Sequence, residues 1–178
     1  MPITAAQIAD FEVYARNPET WTFAAKRSLA VARLLDSRVQ ALRVQPTRDL
    51  FEFAGCLLSA DLHAALAVEN AVKGVYIKRD PVIVSNGRLR LPAVFGSSGH
   101  ALLDPMVGVL GQLTDPERRL VVKLRESGWA GRFVVPVRAE SLYDEEKLQI
   151  MRTSSPEEFP MIESLVSRLL SLLVPNAA

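Results

Sequence analysis

The strongest pattern in the chain is an apolar run from Asp61 to Asp80 that has helical periodicity but no clear polar face. Small residues recur along one side of the predicted helix, at Ala60, Ala64, Ala67, Ala71 and Gly74. Larger side chains line the opposite side, at Leu62, Leu66 and Tyr76. A helix that is apolar on all sides is typical of the buried centre of a bundle. The pattern therefore predicts a central helix, which extends back towards Pro46 as one long helix.

Capping signals predict the helices that surround this central one. Each signal combines a side chain that caps the backbone with a glutamate, glutamine or proline in the first turn. In chain order they are Thr4 with Gln7, Asn17 with Pro18, Asp104 with Pro105, and Thr114 with Glu117. The third of these helices is expected to run from about His100 to Leu113, or to begin at the Asp104 cap, and Gly128 is expected to end the fourth. A last amphipathic helix is predicted over residues 155–174.

The pattern changes to a strand pattern over residues 82–91. Two short runs, VIVS and RLRL, flank the pair Asn86-Gly87, which favours the positive φ angles of a type I′ turn. An isolated hairpin is only marginally stable, so we expect this one to pack against the bundle. The elements together predict a single all-α domain over residues 1–178, an antiparallel bundle of five to six helices with a small inserted β-hairpin.

Composition excludes several classes of protein. The 178 residues are 49% apolar with a net charge of +1, which suits one folded domain without an overall nucleic-acid or membrane signature. Cys56 is the only cysteine and is expected to be buried, in a reducing cytoplasm. Two histidines without a cysteine pair lack metal-ligand spacing, so we predict neither a metal nor another cofactor. Without a signal pattern or a membrane-spanning apolar run, we expect a soluble cytoplasmic protein that does not bind membranes.

Two opposite charges, Glu69 and Lys73, fall within the stripe of large apolar side chains on the central helix. They are four residues apart and can pair along the helix, and burial requires that each charge be partnered. The sequence leaves two interpretations open: a buried structural pair completed by Arg132, or part of a ligand-binding cleft. Arg132 is also suited to hold a phosphate in a fork of hydrogen bonds, with Trp129 and Phe133 stacking on a base. Alternatively, the segment that contains these residues simply packs against the bundle.

The remaining candidates are the histidines and the clustered basic residues. His100 follows Gly99 where a loop leads into a helix, and it is interpreted as a cap or loop anchor rather than a catalytic base. His63 lies on the central helix, where a core histidine with satisfied hydrogen bonds is expected. Most lysines and arginines, Lys123 among them, are expected on the solvated surface.

Three segments together resemble the HEPN family of helical-bundle domains. The first, Leu66–Pro81, resembles the family helix in which a glutamate and a lysine lie one turn apart. The second, Gly99–Leu113, is similar to the His-x-Leu helix start that follows the family's variable insertion. The third, Gly128–Glu140, is similar to the Gly-Arg-Tyr-Pro-type segment, although Phe133 replaces the tyrosine. The resemblance covers roughly residues 17–140 and implies a HEPN-like bundle that forms a homodimer.

Many members of the HEPN family are metal-independent ribonucleases that dimerise to bring together an Arg-x4–6-His motif from each chain. Neither His63 nor His100 is preceded by an arginine at that spacing, so the motif is absent. The resemblance therefore implies the fold and the dimer without the nuclease chemistry.

The resulting prediction is a non-catalytic HEPN-like module that binds RNA, a nucleotide or a partner protein. The resemblance alone suggests its setting, which is a bacterial stress response, phage defence or a toxin–antitoxin pair. One alternative is a metal-independent endoribonuclease with a rebuilt catalytic set, for which His100, Arg132 and Lys73 are the candidates. Another is a purely structural assembly partner.

Overall fold

The computed structural model describes residues 3–47, 49–130 and 155–174, and for residues 127–130 it describes the backbone alone. Six α-helices lie in these ranges: α1 Ala5–Arg16, α2 Pro18–Arg43, α3 Leu50–Arg79, α4 Leu103–Leu110, α5 Asp115–Ala130 and α6 Glu158–Ser171. The sheet in these ranges is one antiparallel pair, β1 Val84–Ser85 and β2 Arg88–Leu89. The predicted all-α architecture with a small β-hairpin is confirmed at this level.

Helices α2 and α3 run antiparallel and form the most extensive helix pair in the described part of the chain. Asp49 caps α3 by accepting hydrogen bonds from the backbone N–H groups of Phe51 and Glu52. Near the other end of α3 the two helices approach closely, because a Cβ atom on Gly74 would lie only 2.7 Å from Cβ of Trp21. Glycine at this position is therefore required for the close packing of α2 on α3.

Helix α3 lies at the centre of the bundle in its second half. From Ala60 to Ile77 most of its residues are buried, and its main contacts are with α2, α5 and α6. The predicted central helix is therefore confirmed over this stretch. None of residues 50–59 is buried, so the first turns of α3 extend beyond the packed core. Cys56 lies in this exposed part and is half-buried rather than buried, which corrects the sequence expectation.

Helix α3 is also long and apolar enough to cross a membrane, by length and composition alone. This finding corrects the sequence expectation that no apolar run has the necessary length. The central helix of a water-soluble bundle meets the same criteria. The cytoplasmic location therefore stays a prediction.

The β-hairpin has the predicted turn but shorter strands. Asn86 and Gly87 both have positive φ angles, 53° and 66°, as a type I′ turn requires. Residues 81–83 form a 3-10 turn instead of the start of a strand, and Val84 pairs with Leu89. Two side chains of α1 hold the hairpin in place, which satisfies backbone groups that so short a ladder leaves unpaired. The carboxylate of Glu12 accepts from the N–H of Gly87, and the guanidinium of Arg16 donates to the carbonyl of Val84.

Helix α4 differs from its predicted bounds at both ends, since it also ends at Leu110 rather than Leu113, and helix α5 differs at its end. Helix α4 begins at Leu103, so both predicted starts, His100 and an Asp104 cap, are wrong. Leu102 is the N-cap and makes no side-chain hydrogen bond. Pro105 lies in the first turn, where its missing N–H costs no hydrogen bond. Helix α5 continues through Gly128 to Ala130, so the prediction that Gly128 ends it is wrong. A lone glycine within a helix costs only about 1 kcal/mol, which the packing of the rest of the helix outweighs. Helix α6 lies within the predicted residues 155–174.

An ion pair joins the start of α5 to α6. The predicted capping box forms, since the N–H and the hydroxyl of Thr114 both donate to the carboxylate of Glu117. Arg168 of α6 donates to the same carboxylate. Burial alone would raise the pKa of Glu117. The hydrogen bonds from Thr114 and the positive charge of Arg168 outweigh it, so the pKa lies below its ordinary value of 4.5.

Replacing Glu117 with glutamine should lower the free energy of unfolding at neutral pH, because the amide keeps the shape of the carboxylate but not its charge. The folded-state pKa of Glu117 is lowered, so this contribution is complete above pH 4.5 and is lost as the pH falls through the folded-state pKa. Urea unfolding from neutral pH down to about pH 3 should show the two stabilities converging in acid. A difference that stays constant over this range contradicts the assignment.

Candidate functional site

Glu69, Lys73 and His100 form a cluster in which one carboxylate oxygen has two nitrogen partners. The side chains of Glu69 and Lys73 are almost entirely buried, with residue exposures of 6% and 7%. The ammonium group of Lys73 lies 2.5 Å from Oε1 of Glu69, and Nδ1 of His100 lies 3.0 Å from the same oxygen. The predicted pair therefore forms, and its third partner in the described part of the chain is His100.

The loop before α4 brings His100 to the central helix. The side chain of Phe95, in a short 3-10 turn of this loop, is fully buried and meets the ring of Tyr76 edge to face at 5.0 Å. The N–H of Ala101 then donates to the carbonyl of Phe95 and tightens the loop. An aromatic contact and a polar contact therefore hold the loop on α3, and the interpretation of His100 as a loop anchor agrees with this geometry.

The chemistry of this cluster depends on the carboxylate of Glu69. A buried carboxylate must receive hydrogen bonds from its neighbours, and Lys73 and His100 supply them. A carboxylate that contacts one imidazole nitrogen also fixes the orientation of the ring, as it does for a histidine that acts as a general base. The side chain of His100 is 27% exposed, so it is the member of the cluster that solvent reaches most readily.

A second buried charge cluster was missed by the sequence reading. Lys123 of α5 was expected on the surface, but its side chain is only 3% exposed. Its ammonium group lies 2.5 Å from a carboxylate oxygen of Glu158 and 3.8 Å from one of Asp61. The position of Lys123 in the sequence could have indicated its burial. It lies three residues after Leu120 and directly before Leu124, on the apolar face of α5. The cluster joins α3, α5 and α6.

The other predicted site residues have different outcomes. His63 is half-buried on α3, and its Nδ1 atom has no hydrogen-bond partner among the described residues, which corrects the expectation of a satisfied core histidine. Arg132 lies outside the described residues, as does the side chain of Trp129, so their predicted roles in binding stay predictions. Within the residues that the structure describes, no three histidine, cysteine, aspartate or glutamate side chains are grouped as metal ligands.

Removing one member of the Glu69–Lys73 pair should destabilise the fold strongly. Glu69→Ala leaves the ammonium group of Lys73 buried without its carboxylate, and such losses cost about 3–5 kcal/mol. The double variant Glu69→Leu/Lys73→Met removes both charges at similar volume and should recover most of this loss. Chemical unfolding of the three proteins measures the difference.

The exposed pair of Arg38 with Glu52 provides the matched control, and Glu52→Ala should cost less than about 1 kcal/mol. A Glu69→Ala protein that melts within about one degree of the wild type would contradict the structural interpretation of the pair.

Comparison with known proteins finds no matching family model, no matching curated protein and no matching solved structure. The resemblance to the HEPN family therefore stays a prediction carried by sequence segments. Leu66–Pro81 and Gly99–Leu113 lie within the described residues, where they contribute Glu69, Lys73 and His100 to one cluster. The third segment, Gly128–Glu140, extends beyond them.

Proposed function

We propose that the chain is a non-catalytic HEPN-like interaction module that works as a homodimer. The observation that carries this proposal is an uncovered apolar surface on the first turns of α3. We call it the distal α3 face, and it consists of Phe51, Ala54, Gly55 and Leu58. Their spacing of three or four residues places them on one side of the helix.

The distal α3 face exposes side chains that are normally buried. Phe51 is 92% exposed and Leu58 is 45% exposed, and Leu50 beside them is exposed as well. Contiguous apolar surface of this kind on a folded domain marks a site of contact with another molecule. The contrast with the second half of α3, which the bundle covers, supports the view that the first half has a partner outside the monomer.

The layout of the distal α3 face favours a second copy of the same chain. Gly55 lies near its middle, and a Cβ atom there would meet nothing within 4 Å, so another helix can approach the backbone at this point. Phe51 lies four residues before Gly55 and Leu58 lies three residues after it. Two copies that cross antiparallel at Gly55 would therefore pack Phe51 of each against Leu58 of the other. Such a self-complementary contact is what a two-fold symmetric dimer requires.

The setting proposed for this dimer is that of the HEPN resemblance, namely a bacterial stress response, phage defence or a toxin–antitoxin pair. The long antiparallel helices α2 and α3 and the hairpin that follows α3 are compatible with that resemblance. In this proposal Glu69, Lys73 and His100 stabilise the bundle and do not act on a substrate.

The dimer can be tested by analytical ultracentrifugation of variants in the distal α3 face. The wild type should sediment as a dimer, and Phe51→Ser/Leu58→Ser should sediment as a monomer, because burying these apolar side chains drives the association. Gly55→Leu should also be monomeric, since its side chain blocks the close approach of the helices. It should nevertheless stay folded, because leucine favours a helix over glycine by up to about 1 kcal/mol.

The matched control is Val13→Ser/Val82→Ser, which changes two equally exposed apolar residues outside α3 and should leave the dimer intact. A wild type that is monomeric at every concentration, or a dimer that survives both sets of changes in α3, contradicts the proposed interface.

A second candidate function, a ribonuclease with a rebuilt catalytic set, is favoured by the contact between His100 and Glu69. If it is correct, the wild type should cleave labelled RNA in the presence of a metal chelator, and His100→Ala should lose that activity. Under the proposed non-catalytic function no RNA is cleaved. Cleavage that persists in His100→Ala comes from a contaminating nuclease or from another site, and it removes this candidate.

A further inference from the structure

The outer side of α2 carries a stripe of residues at the spacing of a helix–helix seam. The intervals along it alternate between four and three residues, as they do between the a and d positions that pack two helices together in a coiled coil. All of its members are exposed. We call it the outer α2 stripe, and it consists of Phe23, Arg27, Ala30, Leu34, Ser37 and Ala41.

The large apolar side chains of the outer α2 stripe face solvent. Phe23 is 66% exposed and Leu34 is 72% exposed, although the opposite side of the same helix packs on α3. The small residues between and beyond them, Ala30 and Ala41, leave space for the side chains of a second helix. An apolar stripe of this kind is suited to an amphipathic helix that lays its own apolar side against it.

The charge in the outer α2 stripe is positive. The guanidinium of Arg27 lies 5.9 Å from the ring centre of Phe23, within cation–π distance, and Lys26 lies beside it in the sequence. The acidic residues of α2 lie elsewhere. Glu19 precedes the stripe, and Asp36 lines a small pocket with residues of α3 and α6.

Lys26 and Arg27 carry the charge that remains available to a partner. The two arginines that flank the stripe further along α2 are already neutralised by carboxylates of the same chain, in the pairs Arg33–Glu163 and Arg38–Glu52. Lys26 and Arg27 have no ion-pair partner among the residues that the structure describes. The first half of the stripe therefore presents two cations beside an exposed aromatic ring.

We propose that the outer α2 stripe binds an amphipathic helix of another protein, whose acidic residues beside its apolar stripe pair with Lys26 and Arg27. Complementary charges favour such a partner, and like charges disfavour the wrong one. A second copy of this chain is a wrong partner for this stripe. In a parallel pair of the two stripes Arg27 would lie opposite Arg27, and the flanking charges of both helices are basic.

A helix fits the outer α2 stripe better than a membrane surface or a nucleic acid does. The stripe is narrow, because basic residues flank it, whereas a helix that lies on a membrane needs a broad apolar face. Binding to nucleic acid depends on basic side chains that contact phosphates. Two of the four basic residues here, Arg33 and Arg38, are already paired within the chain.

The inference goes beyond the proposed dimer, because the outer α2 stripe and the distal α3 face have no residue in common. The Phe51→Ser/Leu58→Ser protein, which is expected to be monomeric, should therefore bind a helical partner as the wild type does. Helix binding without a dimer would refute the proposed function alone, and a dimer without helix binding would refute this inference alone.

The probe is a synthetic peptide of three heptads, with leucine at each a and d position and glutamate at each e and g position. A twin peptide carries lysine in place of each glutamate. Measured by fluorescence anisotropy, the wild type should bind the acidic peptide saturably and the basic peptide about tenfold more weakly or worse. Lys26→Glu/Arg27→Glu should reverse this preference, which a loss of folding would not do.

Phe23→Ser/Leu34→Ser should weaken the acidic peptide about tenfold or more, because the apolar contacts of the stripe are lost. Val13→Ser/Val82→Ser serves as its counterpart, since it changes two exposed apolar residues outside α2 and should leave the affinity unchanged. Thermal melts should show that each variant is folded.

The inference is overturned if the acidic peptide shows no saturable binding up to about 100 µM. It is also overturned if both peptides bind alike, or if a folded Lys26→Glu/Arg27→Glu protein keeps the preference of the wild type. Binding of single-stranded RNA or of phosphatidylserine vesicles that is lost in Phe23→Ser/Leu34→Ser, without binding of the acidic peptide, would assign the stripe to a different partner and overturn it as well.

Discussion

Burial of the second half of α3 is the constraint on which the rest of the structure depends. This half is packed mainly against α2, α5 and α6, and it carries Glu69 and Lys73 into the apolar interior. Lys73 neutralises the charge of Glu69, but a buried carboxylate also requires further hydrogen bonds, and a side chain of the loop before α4 contacts it. His100 satisfies that requirement, and the buried side chain of Phe95 holds the same loop from the apolar side.

The same helix has a different environment in its first turns. Apolar residues continue at helical spacing from the core into the distal α3 face, where none of residues 50–59 is buried although Arg38 of α2 still pairs with Glu52. Helix α3 therefore has one half that the bundle buries and another half that carries the distal α3 face, which we propose a second chain covers. The closely packed Gly74 and the open Gly55 illustrate the difference, since a Cβ atom would clash with Trp21 at the first position and meet nothing at the second.

Local interactions explain what could be predicted from the sequence. The capping boxes at Thr4 and Thr114 and the Asn86-Gly87 turn each depend on residues within one turn of one another, so their patterns are visible in the chain. The Glu69–Lys73 pair was predictable for the same reason. Long-range contacts were not, because they depend on how the helices pack. His100 as the third partner of Glu69 and the burial of Lys123 both bring together residues that are far apart in sequence.

The extent of the apolar pattern was also misleading in one respect. Periodicity records which side of a helix is apolar, but it does not record whether anything covers that side. Cys56 was expected to be buried on this basis and is half-buried instead. Helix α4, which follows the loop that contains His100, begins three residues later than the first of its two predicted starts. Pro105 then lies in its first turn.

Amide hydrogen exchange along α3, measured at a low and a high protein concentration, tests the division of this helix most directly. The account predicts strong protection of residues 64–77 at both concentrations, because the monomer buries them. It predicts protection of residues 51–59 that increases with concentration, because a second chain must cover them. Strong protection of residues 51–59 that is independent of concentration, or weak protection of residues 64–77, would contradict it.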